Sequence, residues 1–146
     1  MATIKSYTSV EQSRVLAEFL PHDSADMAWC NNSIKGVNYT DEYSANLYTV
    51  EEMRNVFDEG LVGWDKYWEL IPCWSLQTLL DEIPYTIMNK QEEDLKLHIE
   101  KEDLQYYLFY ENEYNGDMFE IETDMHDNMI DACVEMIIKL QEQKLI

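Results

Sequence analysis

Five residues with metal-binding side chains lie within ten positions of one another near the end of the chain. Carboxylate oxygens bind hard cations such as Mg²⁺ and Ca²⁺, and an imidazole nitrogen favours a transition metal. A divalent ion held by the central three residues would activate a water molecule for hydrolysis. The cluster consists of Glu122, Asp124, His126, Asp127 and Asp131, and the central three are Asp124, His126 and Asp127.

The same cluster also has a structural interpretation. It lies where a predicted strand passes into a predicted helix, and acidic side chains near a helix N-terminus are stabilised by the helix macrodipole. The sequence has neither the EF-hand spacing nor an HExxH pair, which are the specific signals of such metal sites. His22, Asp23 and Asp26 form a second, weaker cluster of the same kind. We favour the structural interpretation, and the metal-binding one stays open.

Other reaction chemistries lack the residues they need. The four glycines do not form the GxGxxG or GxxxxGK patterns of phosphate-binding loops. Cys73 and Ser75 flank Trp74, but no histidine is near them in sequence to activate a nucleophile. The three cysteines form no CxxC pair, so reduced and mostly buried thiols are the simplest expectation. We expect no cofactor, and the sequence leans against an enzyme.

The charge of the chain argues against whole classes of partner. Thirty acidic residues against ten basic ones give a formal net charge of −20, which opposes direct binding to nucleic acid and to anionic membranes. Residues 91–127 alone carry thirteen acidic and two basic side chains. Such a run is usually a solvated surface. Regularly spaced carboxylates, among them Glu120 and Glu122, could also imitate a phosphate backbone and occupy a basic site on a DNA-binding enzyme.

Capping residues and prolines mark the ends of two predicted helices. Ser9 and Gln12 have the spacing of a capping box, in which each side chain satisfies a free backbone donor near the start of the helix. Pro21 stops this first helix. Ser75 is placed to cap a central helix, which ends before Pro84 because proline disfavours helical geometry at the residue before it.

Two further helices are predicted, with a poorly patterned segment before them. Residues 22–48 predict loops with a short strand or two and a helical turn. A capping-box spacing at Thr49 predicts a short helix that ends at Gly60. Asp127 or Asn128 caps the C-terminal helix. Its apolar stripe consists of Ile130, Cys133, Val134, Ile137 and Leu140.

Between the central and C-terminal helices the hydrophobic period changes to two, which indicates strands. Leu95, Leu97 and Ile99 alternate with polar residues, and Asn115-Gly116 is a strong turn signal. Residues 106–110 are apolar on both faces, so we expect both faces to be covered. The pattern predicts an α+β fold: a three-stranded or slightly larger antiparallel meander packed by N-terminal, central and C-terminal helices. Residues 1–146 fit a single domain.

Aromatic residues are the second compositional feature. The chain has ten Tyr and four Trp, which pair an apolar body with a polar tip and suit core edges and protein interfaces. Because catalytic signatures are missing, they point to a protein that binds another protein and forms a homodimer. The candidate interaction residues are Glu120, Glu122, Tyr107, Phe109, Trp64 and Trp68.

The location of the protein is predicted from what its sequence lacks. No apolar run approaches the roughly 20 residues that span a bilayer. The first residues, MATIKSYTSVEQ, have no apolar core of a secretory signal. We therefore expect a cytoplasmic protein without membrane contact.

Three blocks of the sequence resemble a family of small uncharacterised proteins encoded in gut-bacterial genomes, prophages and other mobile elements. The blocks are LPHDSADMAW (residues 20–29), IPCWSLQTLLDEIP (residues 71–84) and IDACVEMIIKLQEQKLI (residues 130–146). They cover a little over a quarter of the chain. The resemblance implies a mobile-element setting and one α+β domain, and it carries no activity and no catalytic residue.

We therefore predict an acidic accessory protein of a prophage or mobile element that acts by protein–protein binding. DNA mimicry or another anti-defence activity is a special case of this function. The alternative is a metal-dependent hydrolase that uses Asp124, His126 and Asp127.

Overall fold

The computed structural model of the chain describes residues 5–31, 46–49, 69–114 and 118–146. These form two compact units. The N-terminal unit is Ser9–Ser75, and the C-terminal unit combines Met1–Thr8 with Leu76–Ile146. Helices and antiparallel sheets make up the described residues, so the α+β class is confirmed. The single domain over residues 1–146 stays a prediction.

The N-terminal unit contains a helix and a three-stranded antiparallel sheet with the strand order β2-β1-β3. Because β3 is an edge strand, it tolerates Pro72, which has no N–H to donate to a ladder. Helix α1 packs against β3. The elements are α1 (Val10–Leu16), a 3₁₀ turn (His22–Ser24), β1 (Met27–Asn31), β2 (Asn46–Thr49) and β3 (Glu69–Cys73).

The predicted capping box starts α1. The Ser9 hydroxyl accepts a hydrogen bond from the backbone N–H of Gln12 at 3.1 Å, and the Gln12 side chain accepts one from the Ser9 N–H at 3.1 Å. Two free donors of the first turn are thereby satisfied. Leu16, at the end of the helix, is fully buried, and the chain turns before Pro21.

Two of the resembling blocks meet in this unit. Strand β1 pairs with β3 so that Met27 lies opposite Cys73. Next to this pair, the Asp26 carboxylate accepts hydrogen bonds from the Ser75 hydroxyl at 2.6 Å and the Ser75 N–H at 3.0 Å. The Trp74 indole N–H donates to Ser24 Oγ at 2.9 Å. These contacts give residues of both blocks a structural role.

The C-terminal unit contains two helices and a four-stranded antiparallel sheet in the order β4-β5-β6-β7. The predicted meander is therefore confirmed, with one additional strand, β4, at its start. Asp103 and Leu104 form the two-residue turn between β5 and β6, and Asp103 adopts φ 54°, which Asp tolerates. The elements are α2 (Leu76–Glu82), β4 (Thr86–Met88), β5 (Asp94–Glu102), β6 (Gln105–Glu111), β7 (Met118–Glu122) and α3 (Met129–Glu142).

Helix α3 covers one face of this sheet. It packs against β6, β7 and α2, and every residue of its predicted apolar stripe is buried. By strand register, one set of alternate sheet residues shares a face, and five of them are almost fully buried. This is the face under α3. The sheet residues are Ile87, Leu95, Leu108, Tyr110 and Ile121.

The N-cap of α3 is Asn128, one of the two predicted positions. Its side-chain oxygen accepts a hydrogen bond from the Asp131 N–H at 2.8 Å. We expect Asn128→Ala to lower the free energy of unfolding by about 1 kcal/mol, because an orphan donor loses its partner. Asn128→Ser keeps a hydrogen-bond acceptor, so it should lower the free energy of unfolding much less. Urea titrations of both variants measure the difference, and equal losses would contradict the capping role.

Several predicted features lie outside the described residues. The proposed helix between Thr49 and Gly60 is one, although Thr49 itself ends β2. The Asn115-Gly116 turn is another, as are Trp64 and Trp68. Among the helices of the described segments, none has the length and apolar character to cross a membrane.

Candidate functional site

The predicted metal cluster lies at the connection between β7 and α3. His126 is fixed by its backbone, since its N–H donates to the Tyr106 carbonyl at 2.8 Å and its carbonyl accepts from the Tyr106 N–H at 2.7 Å. Its ring Nε2 lies 2.9 Å from Glu135 Oε1 on α3. The Asp124 N–H also donates to Glu135, at 2.9 and 3.1 Å to its two oxygens. Glu135 therefore ties the connecting segment to the helix.

The electrostatics of Glu135 fit this clamping role. Burial by itself raises the pKa of its carboxyl group, but hydrogen bonds from His126 and from the Asp124 N–H, together with the charge of Lys139, outweigh burial and hold the pKa below its ordinary 4.5. Lys139 Nζ lies 3.4 Å from Glu135 Oε2 and donates to the Glu122 carbonyl at 2.7 Å. The ionised carboxylate is thus the form that the folded state prefers.

Two other acids of the cluster, Asp127 and Asp131, have partners elsewhere. Asp127 Oδ1 accepts a 3.4 Å hydrogen bond from the Gln105 amide. Asp131 pairs with Lys5 at 2.8 Å and accepts a hydrogen bond from the Asn128 amide. Within the part of the chain that the structure describes, no three His, Cys, Asp or Glu side chains are grouped so as to hold a metal ion. Hydrolysis through Asp124, His126 and Asp127 stays a prediction without a contact that favours it.

The second candidate functional site lies on the face of the four-stranded sheet that is opposite α3. We call this face the outer face. Strand register places four cross-strand pairs of β5 and β6 on it: Lys96 with Glu111, His98 with Phe109, Glu100 with Tyr107, and Glu102 with Gln105. Glu122 of β7 lies opposite Phe109 and extends the row of His98 to a third strand. Aromatic and acidic side chains are therefore neighbours on this face.

An aromatic stack runs along the middle of the outer face. The His98 ring lies parallel to Phe109, with centroids 5.2 Å apart, and Tyr107 stacks on the other side at 5.7 Å. Phe109 is only 4% exposed. Because Phe109 is buried and stacks with both neighbouring rings, Tyr107 and His98 are the accessible part of the stack. The apolar character of β6 on both faces is explained by this burial together with the packing of α3.

The phenol of Tyr107 contacts one carboxylate and shares its sheet face with two others. Its hydroxyl donates to Glu100 at 2.7 Å. This hydrogen bond raises the pKa of Tyr107, burial raises it further, and the negative charges of Glu100, Glu102 and Glu122 act in the same direction. All three carboxylates are exposed, and no described Lys or Arg forms an ion pair with their side chains. We call Tyr107 with Glu100, Glu102 and Glu122 the acidic tyrosine patch.

The structure brings only some of the predicted interaction residues together. Tyr107, Phe109 and Glu122 meet on the outer face. Glu120 lies two residues before Glu122 in β7, with its side chain outside the described part, as are Trp64 and Trp68. Two residues of the patch, Glu100 and Glu102, were not predicted. Their signal was present, because residues that alternate with Leu95, Leu97 and Ile99 must share the opposite face.

Comparison with known proteins adds no family to this description. No protein-family model, curated protein or solved structure matches the chain.

Proposed function

We propose that this chain acts by binding another protein, and that the acidic tyrosine patch docks on a surface rich in Lys and Arg. The single observation that carries the proposal is that Glu100, which accepts the Tyr107 hydroxyl hydrogen bond at 2.7 Å, shares an exposed sheet face with Glu102 and Glu122. Carboxylates that share a face and form no ion pair with a described Lys or Arg side chain repel one another, and a cationic partner would relieve that repulsion.

The chemistry of the patch supports a protein as the partner. Tyr is enriched at the energetically important positions of protein interfaces because it buries a large apolar area and still offers a polar tip. Here its ring is held by Phe109, so little side-chain entropy remains to be lost on binding. A net charge of −20 accelerates the approach of a basic partner and repels nucleic acid and anionic lipid.

The setting of this function is also a proposal. The resemblance of the three blocks supports a cytoplasmic accessory protein of a prophage or mobile element. In such a setting, a DNA-binding enzyme of the host defence is a fitting partner, because its DNA site is basic. Glu100 and Glu102 lie two residues apart on β5, so their Cα atoms are about 7 Å apart along one strand. The carboxylates would then take the places of backbone phosphates.

Two triple variants test the patch against a matched change of charge. The first neutralises the carboxylates of the patch: Glu100→Gln, Glu102→Gln and Glu122→Gln. The control neutralises three exposed carboxylates elsewhere: Glu18→Gln, Glu92→Gln and Glu142→Gln. Wild type and both variants serve as baits in the cell that encodes the chain, and quantitative mass spectrometry compares the captured proteins.

We expect one protein to be retained by wild type and control and to fall at least about tenfold on the patch variant, which corresponds to roughly 1.4 kcal/mol. With that protein purified, binding to wild type should weaken steeply from about 0.1 M to about 0.5 M salt, because charge pairs are screened. Equal retention on both variants would refute docking through this patch. If the partner binds DNA, competition by a DNA duplex tests mimicry.

A further inference from the structure

The phenol ring of Tyr107 has one face covered and one face open. The covered face stacks on Phe109, with ring centroids 5.7 Å apart and an interplanar angle of 22°. Within the described part of the chain, no second aromatic ring and no Lys or Arg lies over the other face. The Tyr107 side chain is only half-buried, so a planar group of a partner can reach this open face.

Strand geometry shows in which direction the open face points. Alternate residues of a strand share a face and lie about 6.6 Å apart. This spacing is close to the separation of the two rings, so Tyr107 and Phe109 stack along β6. The open side of Tyr107 therefore faces Gln105, the preceding residue of β6 on the outer face. This is the end of the sheet at which β5 and β6 are joined.

Two carboxylates lie at that end of the outer face. Glu102 lies opposite Gln105 in the ladder of β5 and β6. On the other side of β6, where His126 forms a bridge, the Gln105 amide donates to Asp127 Oδ1 at 3.4 Å. Glu102 and Asp127 are exposed, and neither forms an ion pair with a described Lys or Arg. Gln105 therefore has a carboxylate on each side, next to the open ring.

The ring of Tyr107 is held in one orientation. Its hydroxyl donates to Glu100 at 2.7 Å, and its covered face is fixed by Phe109. Because the acceptor of this hydrogen bond is a carboxylate, it polarises the phenol and makes the open face more attractive to a cation. A ring that is already ordered also loses little entropy on binding.

The two basic side chains of proteins differ in how well they fit this arrangement. A guanidinium is planar, so it can stack on an aromatic ring and still donate hydrogen bonds from its edge to carboxylates. An ammonium is a compact and strongly hydrated point charge, which pairs with carboxylates but cannot cover a ring with a flat surface. The geometry of the open face therefore favours arginine over lysine, which charge alone would not.

We propose that the open face of Tyr107 takes an arginine side chain of the partner, whose guanidinium stacks on the phenol and donates hydrogen bonds to Glu102 and Asp127. This inference rests on the proposed function, because it specifies which basic side chain the acidic tyrosine patch binds. It also adds Asp127, which lies outside that patch, to the binding surface.

Two peptides of equal length and charge test this preference. Both are blocked at their ends, and one carries four arginines and the other four lysines, separated by glycines. Fluorescence anisotropy of the labelled peptides measures binding at about 0.02 M salt, where charge pairs are screened little. Tyr107→Leu removes the ring, and Tyr107→Phe keeps the ring without its hydroxyl. Circular dichroism and thermal unfolding verify that each variant folds.

We expect wild type to bind the arginine peptide at least about fivefold more tightly than the lysine peptide, which is the size of a cation–π contact at an accessible site. Tyr107→Leu should bring this ratio close to one, and Tyr107→Phe should keep most of it. Asp127→Asn tests the same contact without altering the ring, and it should weaken binding of the arginine peptide at least about threefold. Asp124→Asn is its control, since it removes the same charge at another exposed position, and it should bind as wild type does.

The outcomes separate this inference from the proposed function. Equal binding of both peptides by wild type, or a preference for arginine that survives in Tyr107→Leu, would overturn the inference. Docking through the patch would still stand if the variant with Glu100→Gln, Glu102→Gln and Glu122→Gln lost affinity for both peptides alike. If that variant bound both peptides as tightly as wild type, the patch itself would not be the binding surface.

Discussion

Replacing Ile137 by alanine should lower the free energy of unfolding of the C-terminal unit by about 3–5 kcal/mol. Ile137 lies in the middle of the apolar stripe of α3 and has no exposed surface. Removing three buried carbon atoms loses their transfer free energy and leaves a cavity between the helix and the sheet, because a packed core relaxes only in part. Urea unfolding followed by circular dichroism measures the loss.

A matched change at a half-exposed position gives the control. Ile99 of β5 is 44% exposed, so Ile99→Ala removes the same atoms where water already reaches them, and about 1 kcal/mol or less should be lost. Ile137→Val should fall between the two, at about 1 kcal/mol. If Ile137→Ala and Ile99→Ala cost the same, α3 does not form the core that the structure describes.

The elements predicted correctly have their determinants within a few residues of one another. The capping box needs only Ser9 and Gln12, and a cap for α3 needs only Asn128 and the N–H of Asp131. The alternation of Leu95 and Leu97 is likewise a local pattern, because side chains of a strand point to opposite faces in turn. These features are therefore visible in the sequence before any tertiary contact is known.

Elements that escaped prediction depend on distant contacts or are too short to show a period. β4 has three residues, fewer than a two-residue alternation needs to be recognised. β3 contains Pro72, which argues against a strand until its edge position is known. The Asp26 carboxylate meets Ser75 across 49 positions of sequence. No local signal specifies that pairing, since it follows from the way β1 and β3 are joined.

The candidate site likewise has some features that local sequence predicts and others that depend on distant contacts. Once register is known, Glu100 and Tyr107 must be neighbours, and the turn at Asp103 and Leu104 fixes that register. The sequence alone shows the acidic charge and the aromatic residues, but it does not show that they lie together on one sheet face. Glu135 was missed because its position on α3 is compatible with a solvated face. Its role depends on where the segment from Asp124 to His126 passes over the helix.

Glu135→Ala should lower the free energy of unfolding by about 1.5–3 kcal/mol, the range for hydrogen bonds that involve a charged group. The substitution removes the acceptor of the Asp124 N–H and the partner of the His126 ring. Glu135→Gln keeps a hydrogen-bond acceptor but loses the charge, so a smaller loss of about 1 kcal/mol is expected. Glu142→Ala, at an exposed position on the same helix, is the control and should change stability by less than about 0.5 kcal/mol.

The pH dependence separates this clamp from an effect of side-chain size. The pKa of Glu135 is lower in the folded state than its ordinary 4.5, so the unfolded chain takes up a proton first as the pH falls. Stabilisation by the ionised carboxylate is therefore complete above about pH 4.5 and is lost as the pH falls from there through the lower folded-state pKa. The difference in stability between wild type and Glu135→Gln should shrink over this interval. Unfolding titrations between about pH 3 and pH 5.5 measure it, and a difference that grows on acidification would mean that folding raises this pKa and that burial outweighs the bonds from His126 and Asp124.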